Sequence, residues 1–354
     1  VPPGQPEILR ELTGGVSNKV LLLERPDVPQ GDFVLKQARE KLRTAHDWFC
    51  SRERIWREAD VLCHCSQLLE QAPDDGQAPP LIARTPDVLF EDREHYLLAI
   101  SAAPRPNRVW KQDLLAGRVD PLVAMACGHL LGTLHGGSWQ NARIADALGD
   151  RSLFEELRVD PYYRTLALAR SEARVPIERL IASLEEHPRA LVHADFSPKN
   201  MLLYHVGMLE GLMLVDFETG HYGDPAFDLG FFLSHLVLKA CHHMPDHARY
   251  LQLTETFHRA YDQRIGQCIG SAELASLWSR GIQNFAGCAW ARLDGKSPVD
   301  YLDDSQRREL IRELCREIFV SRPSTWEQAV RLASETFDKA ARHESPAIQE
   351  ESEP

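Results

Sequence analysis

The stretch from 193 to 230 constrains the fold more than any other part of this chain. It contains two short apolar runs, 201–204 and 212–215, and Gly207 and Gly211 lie between them. Short apolar runs with intervening glycines predict a β-hairpin, here with both glycines as turn residues. Because the strands of a hairpin are antiparallel, the second strand returns the chain to where the first began. Polar residues that flank the two runs are therefore expected to meet at one end of the ribbon.

Three polar residues flank the predicted hairpin. Asn200 directly precedes the first run, Asp216 directly follows the second, and Asp195 lies shortly before Asn200. Carboxylate and amide oxygens suit Mg²⁺, which proteins usually hold through one or two carboxylates together with substrate phosphates. The sequence therefore predicts a magnesium site at this end of the hairpin.

Composition and charge limit the class of protein. A chain of 354 residues, 44 % hydrophobic and 26 % charged, is long enough for two domains or one bilobed soluble unit. Its 40 basic and 52 acidic residues give a net charge of −12, which argues against a nucleic-acid-binding surface. Scattered cysteines without a C-x-x-C pair fit a reducing compartment, and no apolar run is long enough to span a membrane. We expect a cytoplasmic protein that binds neither nucleic acid nor membrane.

The region before the hairpin predicts an antiparallel β-layer followed by a helix. Apolar runs at 20–23 and 33–36 read as two strands, and Lys36 ends the second. In the predicted helix 47–70, Glu58 shares a face with apolar residues at helical spacing. A carboxylate on the buried face of a helix needs a cationic partner. Glu58 can equally lie at the edge of that face, where its side chain would reach solvent. Lys36 alone reads as a surface lysine, so its role depends on such a partner.

A glycine-containing turn precedes the first of these strands. Such a turn can bring backbone N–H groups close to phosphate oxygens, although a simple chain reversal explains it as well. It is not a P-loop, because the G-x-x-x-x-G-K-[ST] pattern is absent. The candidate binding residues in it are Thr13, Gly14, Gly15, Ser17 and Asn18.

The chain after the first lobe is predicted to be mainly helical. The segment 151–187 reads as helical pieces broken at Pro161 and Pro176. The segment 226–240 is apolar on most faces and therefore belongs deep in a core. Further helices are predicted over 121–135, 246–265, 271–292, 304–319 and 324–342.

These assignments divide the chain into two lobes. The N-terminal lobe is predicted to cover 1–100 and the C-terminal lobe 108–342, joined by the linker 101–107. The acidic, proline-containing tail 343–354 is expected to be disordered.

The order of these features resembles that of the protein-kinase-like phosphotransferases. Among them the chain looks most like the small-molecule branch, which includes aminoglycoside phosphotransferases, choline kinases and methylthioribose kinases. The first motif matches H-G-D-x₄-N with alanine in place of the usual glycine, and the second matches D-x-E. The residues that carry the resemblance are His193-Ala194-Asp195, Asn200, Asp216-Phe217-Glu218, Gly223-Asp224-Pro225 and Asp228-Leu229-Gly230.

The resemblance extends over 12–238 and implies a fold and an activity. The expected fold is α+β and bilobed, with an antiparallel sheet and one main helix in the N-terminal lobe. The larger, mainly helical C-terminal lobe would carry the catalytic hairpin. The implied activity is transfer of the γ-phosphate of ATP, with Mg²⁺, to a hydroxyl of a small molecule.

The resemblance also implies roles on the C-terminal side of the site. Asp195 would orient the acceptor hydroxyl and accept its proton. Asn200 and Asp216 would hold Mg²⁺, with Glu218 as a further ligand, directly or through water. His193 and Asp228 would be structural residues of the catalytic loop.

On the N-terminal side, the resemblance implies a phosphate-binding half. Lys36 would contact the α- and β-phosphates, Glu58 would hold Lys36 in place, and the turn 13–18 would cover the triphosphate. Protein kinases carry a lysine two residues after the catalytic aspartate, but Ser197 stands there, and the role of Lys199 stays open.

Two other functions remain as alternatives. A protein kinase is disfavoured because no activation loop with an A-P-E ending follows the second motif. A catalytically weak nucleotide-binding scaffold is disfavoured because every expected catalytic residue is present.

The acceptor is the least determined part of the activity. Trp290, Arg292 and Asp294 lie close together near a predicted helix end and are candidate substrate residues. An aromatic ring near an acid suits a cationic amine, whereas an arginine suits an anionic or sugar-like acceptor. A helix C-cap at Gly295 explains the same stretch equally well. An aminoglycoside, an amino alcohol and a sugar-like metabolite therefore all remain candidates.

Overall fold

The N-terminal lobe is built on an antiparallel sheet. The computed structural model describes residues 8–12, 18–25, 31–41, 50–73, 81–244 and 246–344. The strands are β1 Ile8–Leu12, β2 Asn18–Glu24, β3 Phe33–Ala38, β4 Ile82–Arg84, β5 Val88–Asp92, β6 Leu97–Ser101, β7 Asn107–Val109, β8 Ala190–Val192, β9 Met201–Val206, β10 Leu209–Leu214 and β11 His221–Gly223. The first sheet has the order β1-β2-β3-β6-β5, and all its neighbours are antiparallel. The predicted antiparallel lobe is confirmed.

The helices of the described residues follow the predicted pattern closely. They are α1 Arg54–Glu70, α2 Trp110–Leu115, α3 Pro121–Ser138, α4 Ala142–Leu148, α5 Ser152–Phe154, α6 Thr165–Ala169, α7 Arg174–Glu186, α8 Ala226–His242, α9 His247–Ile265, α10 Ser271–Asp294, α11 Ser305–Ser321 and α12 Trp326–Glu344. A π-helical segment, Glu155–Arg164, joins α5 to α6, and 3₁₀ turns cover Ser171–Ala173 and Pro198–Asn200. Over the described ranges, none of these helices is both long enough and apolar enough to cross a membrane.

The hairpin is confirmed, with one correction. Strands β9 and β10 are antiparallel, and Gly207 occupies the turn between them with φ +62°. Gly211 was wrongly predicted to be a turn residue, because it lies inside β10 opposite Tyr204. A Cβ atom at Gly211 would come within 2.2 Å of Cζ of Tyr204, so the aromatic ring packs where a side chain would stand.

The hairpin belongs to a four-stranded sheet of order β4-β10-β9-β7. Strand β7 pairs antiparallel with β9, and β4, from the N-terminal part of the chain, pairs parallel with β10. The hairpin is therefore held on both edges by strands that precede the helical lobe.

The core of the C-terminal lobe is made by helices that contact each other closely. Helix α8 is buried along nearly its whole length, as its apolar sequence predicts, and packs against α10 and α9. At Gly230 of α8, a Cβ atom would lie only 2.4 Å from the backbone nitrogen of Phe285 in α10. The small residue lets the two helix backbones approach, and this fixes the position of the start of α8 relative to the core.

Two predicted helix breaks were wrong. Pro161 lies inside the π-helical segment and Pro176 lies in the first turn of α7. Proline is tolerated in a first turn, where its missing N–H would have no partner, and a widened turn accommodates the proline ring inside a helix. The chain instead leaves helical geometry at Arg170, with φ −133° and ψ 100°.

The ends of two other predicted segments also shift. The helix expected over 47–70 begins at Arg54; residues 50–53 are not helical, and 42–49 lie outside the described residues. Helix α12 continues to Glu344, so the tail predicted from 343 is helical at its first two residues. The remainder of that tail, 345–354, lies outside the described residues.

Candidate active site

The polar residues that flank the hairpin meet as expected. The amide of Val215 donates to the carbonyl oxygen of Asn200 at 3.0 Å, which continues the ladder beyond β9 and β10. Asn200 also donates from Nδ2 to Oδ2 of Asp195 at 2.8 Å and to its backbone oxygen at 2.9 Å. The ribbon thus brings Asp195, Asn200 and the adjacent Asp216 to one end.

Asp195 is a buried carboxylate between two cations. Nη2 of Arg158 lies 3.0 Å from its Oδ1, and Nζ of Lys199 lies 2.8 Å from its Oδ2. Burial would raise the pKa of Asp195, but the charges of Arg158 and Lys199 outweigh it and hold the pKa well below its ordinary value. Asp195 is therefore ionised at neutral pH and can accept a hydrogen bond.

Arg158 is a site residue that the sequence did not predict. It comes from the π-helical segment, and its guanidinium also donates to the backbone oxygen of Ala194 at 2.6 Å. Its position has no motif and no helical periodicity, so only the fold shows that it reaches Asp195.

The buried helix α8 supports the loop that contains His193, Ala194 and Asp195, which was predicted to be the catalytic loop. The two oxygens of Asp228 accept the backbone N–H groups of His193 at 2.7 Å and Ala194 at 2.8 Å. These bonds hold Ala194 at φ +61°, the left-handed region that the usual glycine of this motif adopts freely. Nε2 of His135 lies 3.3 Å from Oδ2 of Asp228 and completes the environment of this carboxylate.

His193 has the environment of a structural residue. Its Nδ1 accepts the backbone N–H of Asp195 at 3.1 Å, and its ring packs 4.8 Å from that of Phe217. Burial lowers the pKa of His193 despite the nearby carboxylates, so the ring is neutral.

Lys36 and Glu58 form a buried pair that reaches the hairpin. Nζ of Lys36 binds Oε1 of Glu58, which is fully buried, and lies 3.2 Å from Oδ1 of Asp216. Burial opposes the charge of Lys36, but the carboxylates of Glu58 and Asp216 raise its pKa well above the ordinary value. Of the two interpretations of Glu58, the buried one with a cationic partner is therefore correct.

Glu218 connects the second motif to the N-terminal lobe. Its Oε2 accepts Nδ2 of Asn18 at 3.2 Å and lies 3.3 Å from Nε of Arg54. Arg54, which the sequence did not predict, is fully buried and also donates to the backbone oxygens of Arg39 and Ser51. A role of Glu218 in metal binding stays a prediction.

The glycine turn is only partly described. Thr13, Gly14, Gly15 and Ser17 lie outside the described residues. Asn18 begins β2 and is buried, and its side chain faces Glu218 rather than solvent.

The oxygens near the hairpin suit a magnesium ion. Because the amide nitrogen of Asn200 donates to Asp195, its Oδ1 is the atom left for a cation. Asp216 directly follows Val215, whose backbone N–H is bonded to Asn200. Within the described ranges, no group of three or more His, Cys, Asp or Glu side chains is arranged to hold a metal ion. An ion held by Asn200 and Asp216 would therefore need further oxygens, as Mg²⁺ on a nucleotide has.

The three candidate substrate residues lie on one helix, α10, and two of them contact each other. Trp290 is fully buried and donates from Nε1 to Asp294 at 3.1 Å, and Asp294 binds Arg312 and Arg170 at 2.8–2.9 Å. Burial would raise the pKa of Asp294, but these arginines lower it to about 2. Both side chains are engaged in contacts within the protein, and Gly295 caps α10. A substrate role for Trp290, Arg292 and Asp294 stays a prediction. Arg292 has no carboxylate partner among the described residues.

A family-level comparison agrees with this geometry. The phosphotransferase enzyme family (APH) matches residues 8–263, which is well over half of the chain. The chain belongs to this family. The resemblance read from the two motifs is therefore confirmed, and the family match includes both lobes and the whole hairpin.

Individual relatives of this chain are distant. It is 23 % identical over 236 residues to methylthioribose kinase 2 of Oryza sativa subsp. japonica, covering 59 % of this chain and 52 % of that protein. The chain thus spans about half the length of that curated relative.

Two solved structures show the same fold at low identity. Plasmodium vivax ethanolamine kinase Pv091845 has a TM-score of 0.53 at 14 % identity, covering 90 % of this chain and 84 % of that one. Amicoumacin kinase hAmiN, solved with AMP-PNP, Ca²⁺ and Ami, has a TM-score of 0.51 at 16 % identity, covering 90 % of each chain. The predicted bilobed, protein-kinase-like α+β fold is therefore confirmed.

Proposed function

We propose that this phosphotransferase moves the γ-phosphate of ATP to a hydroxyl of a small molecule. The observation that carries the proposal is the convergence at the hairpin. Lys36, backed by Glu58, reaches Asp216 from the N-terminal sheet, while Asp195 and Asn200 approach from the catalytic loop. A phosphate-binding cation and a hydroxyl-orienting carboxylate thus flank one end of one ribbon.

Each residue has a role that its environment supports. Lys36 is a buried, protonated cation suited to the α- and β-phosphates. Asn200 and Asp216 would hold Mg²⁺, which neutralises phosphate charge when bound. Lys199, which contacts Asp195, is a cation suited to the transferred phosphate.

The low pKa of Asp195 indicates how it would act. In the reaction the bond from the γ-phosphorus to the ADP oxygen breaks and a bond to the acceptor oxygen forms. The loose transition state of phosphoryl transfer needs little proton removal before bond formation. Asp195 would therefore orient the hydroxyl first and take its proton late.

The relatives support a small acceptor. The named relatives are kinases of methylthioribose, ethanolamine and amicoumacin, all small molecules. Their identity to this chain is too low to transfer any one of these substrates.

The test is ATP turnover against a panel of hydroxyl acceptors, comparing the wild type with Asp195→Ala. Loss of a general base typically lowers turnover by roughly 10²- to 10⁴-fold. We expect such a loss in kcat with the best acceptor, and ATP binding by calorimetry close to that of the wild type.

Asp303→Ala is the matched control, because Asp303 is an exposed carboxylate far along the chain from the catalytic loop. It should retain full turnover. The mechanism is wrong if Asp195→Ala phosphorylates the best acceptor as fast as the control variant does.

A further inference from the structure

Basic side chains gather around α8, and among the described residues only Lys111 of them has a carboxylate partner, Asp300 at 3.2 Å. We call Lys111, His235, Lys239, Arg292 and Tyr301 the basic cluster. His235 and Lys239 lie one turn apart on the buried helix α8, Arg292 is on α10, and Lys111 is on α2. No part of the mechanism proposed above uses them.

Lys239 is the centre of the basic cluster and is 1 % exposed. Its Nζ donates to the backbone oxygen of His235 at 3.1 Å and lies 5.1 Å from the ring centroid of Tyr301. Among the described residues, no carboxylate oxygen lies within 4 Å of it. A buried ammonium without a counter-charge is costly, because neither water nor an anion compensates its charge.

The surrounding charges make this cost larger. Burial, with Lys111 and Arg292 nearby, lowers the pKa of Lys239 well below its ordinary value. The carboxylate that opposes this effect, Asp300, is exposed and bound to Lys111 at 3.2 Å. The protonated form of Lys239 is therefore disfavoured until a negative charge enters the cluster.

Three further polar atoms of the basic cluster are buried without a hydrogen-bond partner in the described part of the chain. They are Nε2 of His235, Oη of Tyr301 and Nε of Arg292. Buried polar groups are nearly always paired, so each such group needs an explanation. All three can donate a hydrogen bond, and donors that converge around an ammonium form the kind of site that binds an anion.

The basic cluster is one layer of side chains away from Asp195. The ring of Tyr162 is contacted by Arg292 at 5.8 Å and by Arg158 at 5.9 Å, measured from guanidinium carbon to ring centroid. Arg158 in turn binds Asp195 at 3.0 Å.

A second aromatic ring makes the same connection. The ring of Phe231 lies 5.0 Å from that of His235 and 5.7 Å from the guanidinium carbon of Arg158. Tyr162 and Phe231 therefore lie between the basic cluster and Arg158, which binds Asp195, and an acceptor at Asp195 would reach the cluster past these two rings.

We propose that the hydroxyl acceptor carries an anionic group, a carboxylate or a phosphate ester, which binds Lys239, His235 and Arg292. The inference rests on the proposed function, since it names the acceptor class of that site. A choline-like or aminoglycoside-like cation would meet like charges there, and Asp294, the acid that could have favoured an amine, is bound by arginines.

Anion binding can be measured without ATP. The melting temperature would be recorded with glycerate, glycerol 3-phosphate, glycerol and choline, each at matched ionic strength in sodium chloride. We expect at least one of the two anions to raise the Tm, and glycerol and choline to leave it unchanged. A response to glycerate alone indicates a carboxylate acceptor, and a response to glycerol 3-phosphate alone indicates a phosphate ester.

The variant Lys239→Met assigns the effect to the basic cluster. Methionine keeps much of the lysine volume, and removal of a buried amine that has no carboxylate partner should leave the ligand-free Tm unchanged or higher. The anion-dependent shift should disappear in Lys239→Met. It should persist in the control Lys339→Met, which removes the same charge from an exposed position on α12.

Some results would overturn the inference. They are a shift that survives in Lys239→Met, a larger shift with choline, or no shift with either anion.

Turnover separates this inference from the proposed function. With the best anionic acceptor, Lys239→Met should raise KM by roughly 10- to 100-fold at nearly unchanged kcat, because it removes binding rather than chemistry. If Asp195-dependent turnover is fastest with a neutral or cationic acceptor, the proposal of an anionic acceptor is wrong and the proposed kinase activity is retained. If anions bind through Lys239 but no acceptor is phosphorylated, the proposed function is wrong and the proposed anion-binding site is retained.

Discussion

The two backbone N–H groups that Asp228 accepts allow a quantitative prediction for the substitution Asp228→Asn. The carboxylate uses one oxygen for the N–H of His193 and the other for the N–H of Ala194. Asparagine has one oxygen and one NH₂ group, so one of these two N–H groups must face another donor. The substitution changes few atoms but removes one buried hydrogen bond to a charged group.

The size of the effect follows from these contacts. A buried donor left unsatisfied costs roughly 1–3 kcal/mol. Ala194 is held at φ +61°, a conformation that costs a residue with a side chain roughly 1–2 kcal/mol. With half of its support lost, we expect the loop to relax from this conformation, which recovers part of that strain, and the free energy of unfolding to fall by roughly 1–3 kcal/mol.

The effect on catalysis should be larger for turnover than for nucleotide binding. A misplacement of about 1 Å in a catalytic group can cost roughly 10²-fold in rate, so kcat should fall by about that factor. The Kd for ATP should stay near the wild-type value, because Lys36 and Glu58 do not contact Asp228. Denaturant unfolding and steady-state kinetics measure the two effects separately.

A second substitution tests the cause. Ala194→Gly adopts the left-handed conformation without strain, so in the Asp228→Asn background it should recover part of the lost turnover. The reasoning is refuted if Asp228→Asn stays within about 0.5 kcal/mol of the wild type and keeps its kcat, or if Ala194→Gly lowers its turnover further.

Two further predictions concern stability. Asp294→Asn should lower the free energy of unfolding at pH 7 by roughly 2 kcal/mol, the equivalent of lowering a carboxyl pKa from 3.8 to about 2. This contribution to stability is present above pH 3.8 and is lost as the pH falls towards 2. The urea unfolding curves of the variant and the wild type should therefore converge near pH 2. A difference in stability that does not change with pH would contradict this prediction. Gly230→Ala should cost roughly 1–3 kcal/mol, because its Cβ would press on the backbone of Phe285. The control Gly281→Ala, whose Cβ would approach Leu229 no closer than 3.3 Å, should cost much less, and equal thermal shifts would contradict this packing argument.

Much of the site could be predicted because local patterns determine it. Two apolar runs define the hairpin, and antiparallel pairing then brings Asn200 and Asp216 together without further information. The long helices from α8 onward follow apolar periodicity, which depends on few long-range contacts. For Glu58 the sequence left two interpretations open, and the structure was needed only to choose between them.

The remaining site residues depend on contacts that no local pattern contains. Arg158 reaches Asp195 from a π-helical segment, whose widened turns remove the usual helical spacing. Arg54 is buried because backbone oxygens and Glu218 surround it, whereas an arginine in a sequence reads as exposed. Trp290 and Asp294 suggested an amine site, but the arginines that bind Asp294 come from remote parts of the chain.

The parallel pairing of β4 with β10 affects how the chain folds during its synthesis. During synthesis, Ile82–Arg84 emerges long before Leu209–Leu214. The edge of β4 that pairs with β10 therefore has no partner strand while the intervening helices are translated. Pairing between segments so distant in sequence is slow, and an exposed strand edge is a site for aggregation. A fragment that ends at the boundary between the lobes would leave this edge permanently open. We therefore expect that the N-terminal lobe does not fold independently, and that its expression without the C-terminal lobe yields aggregate.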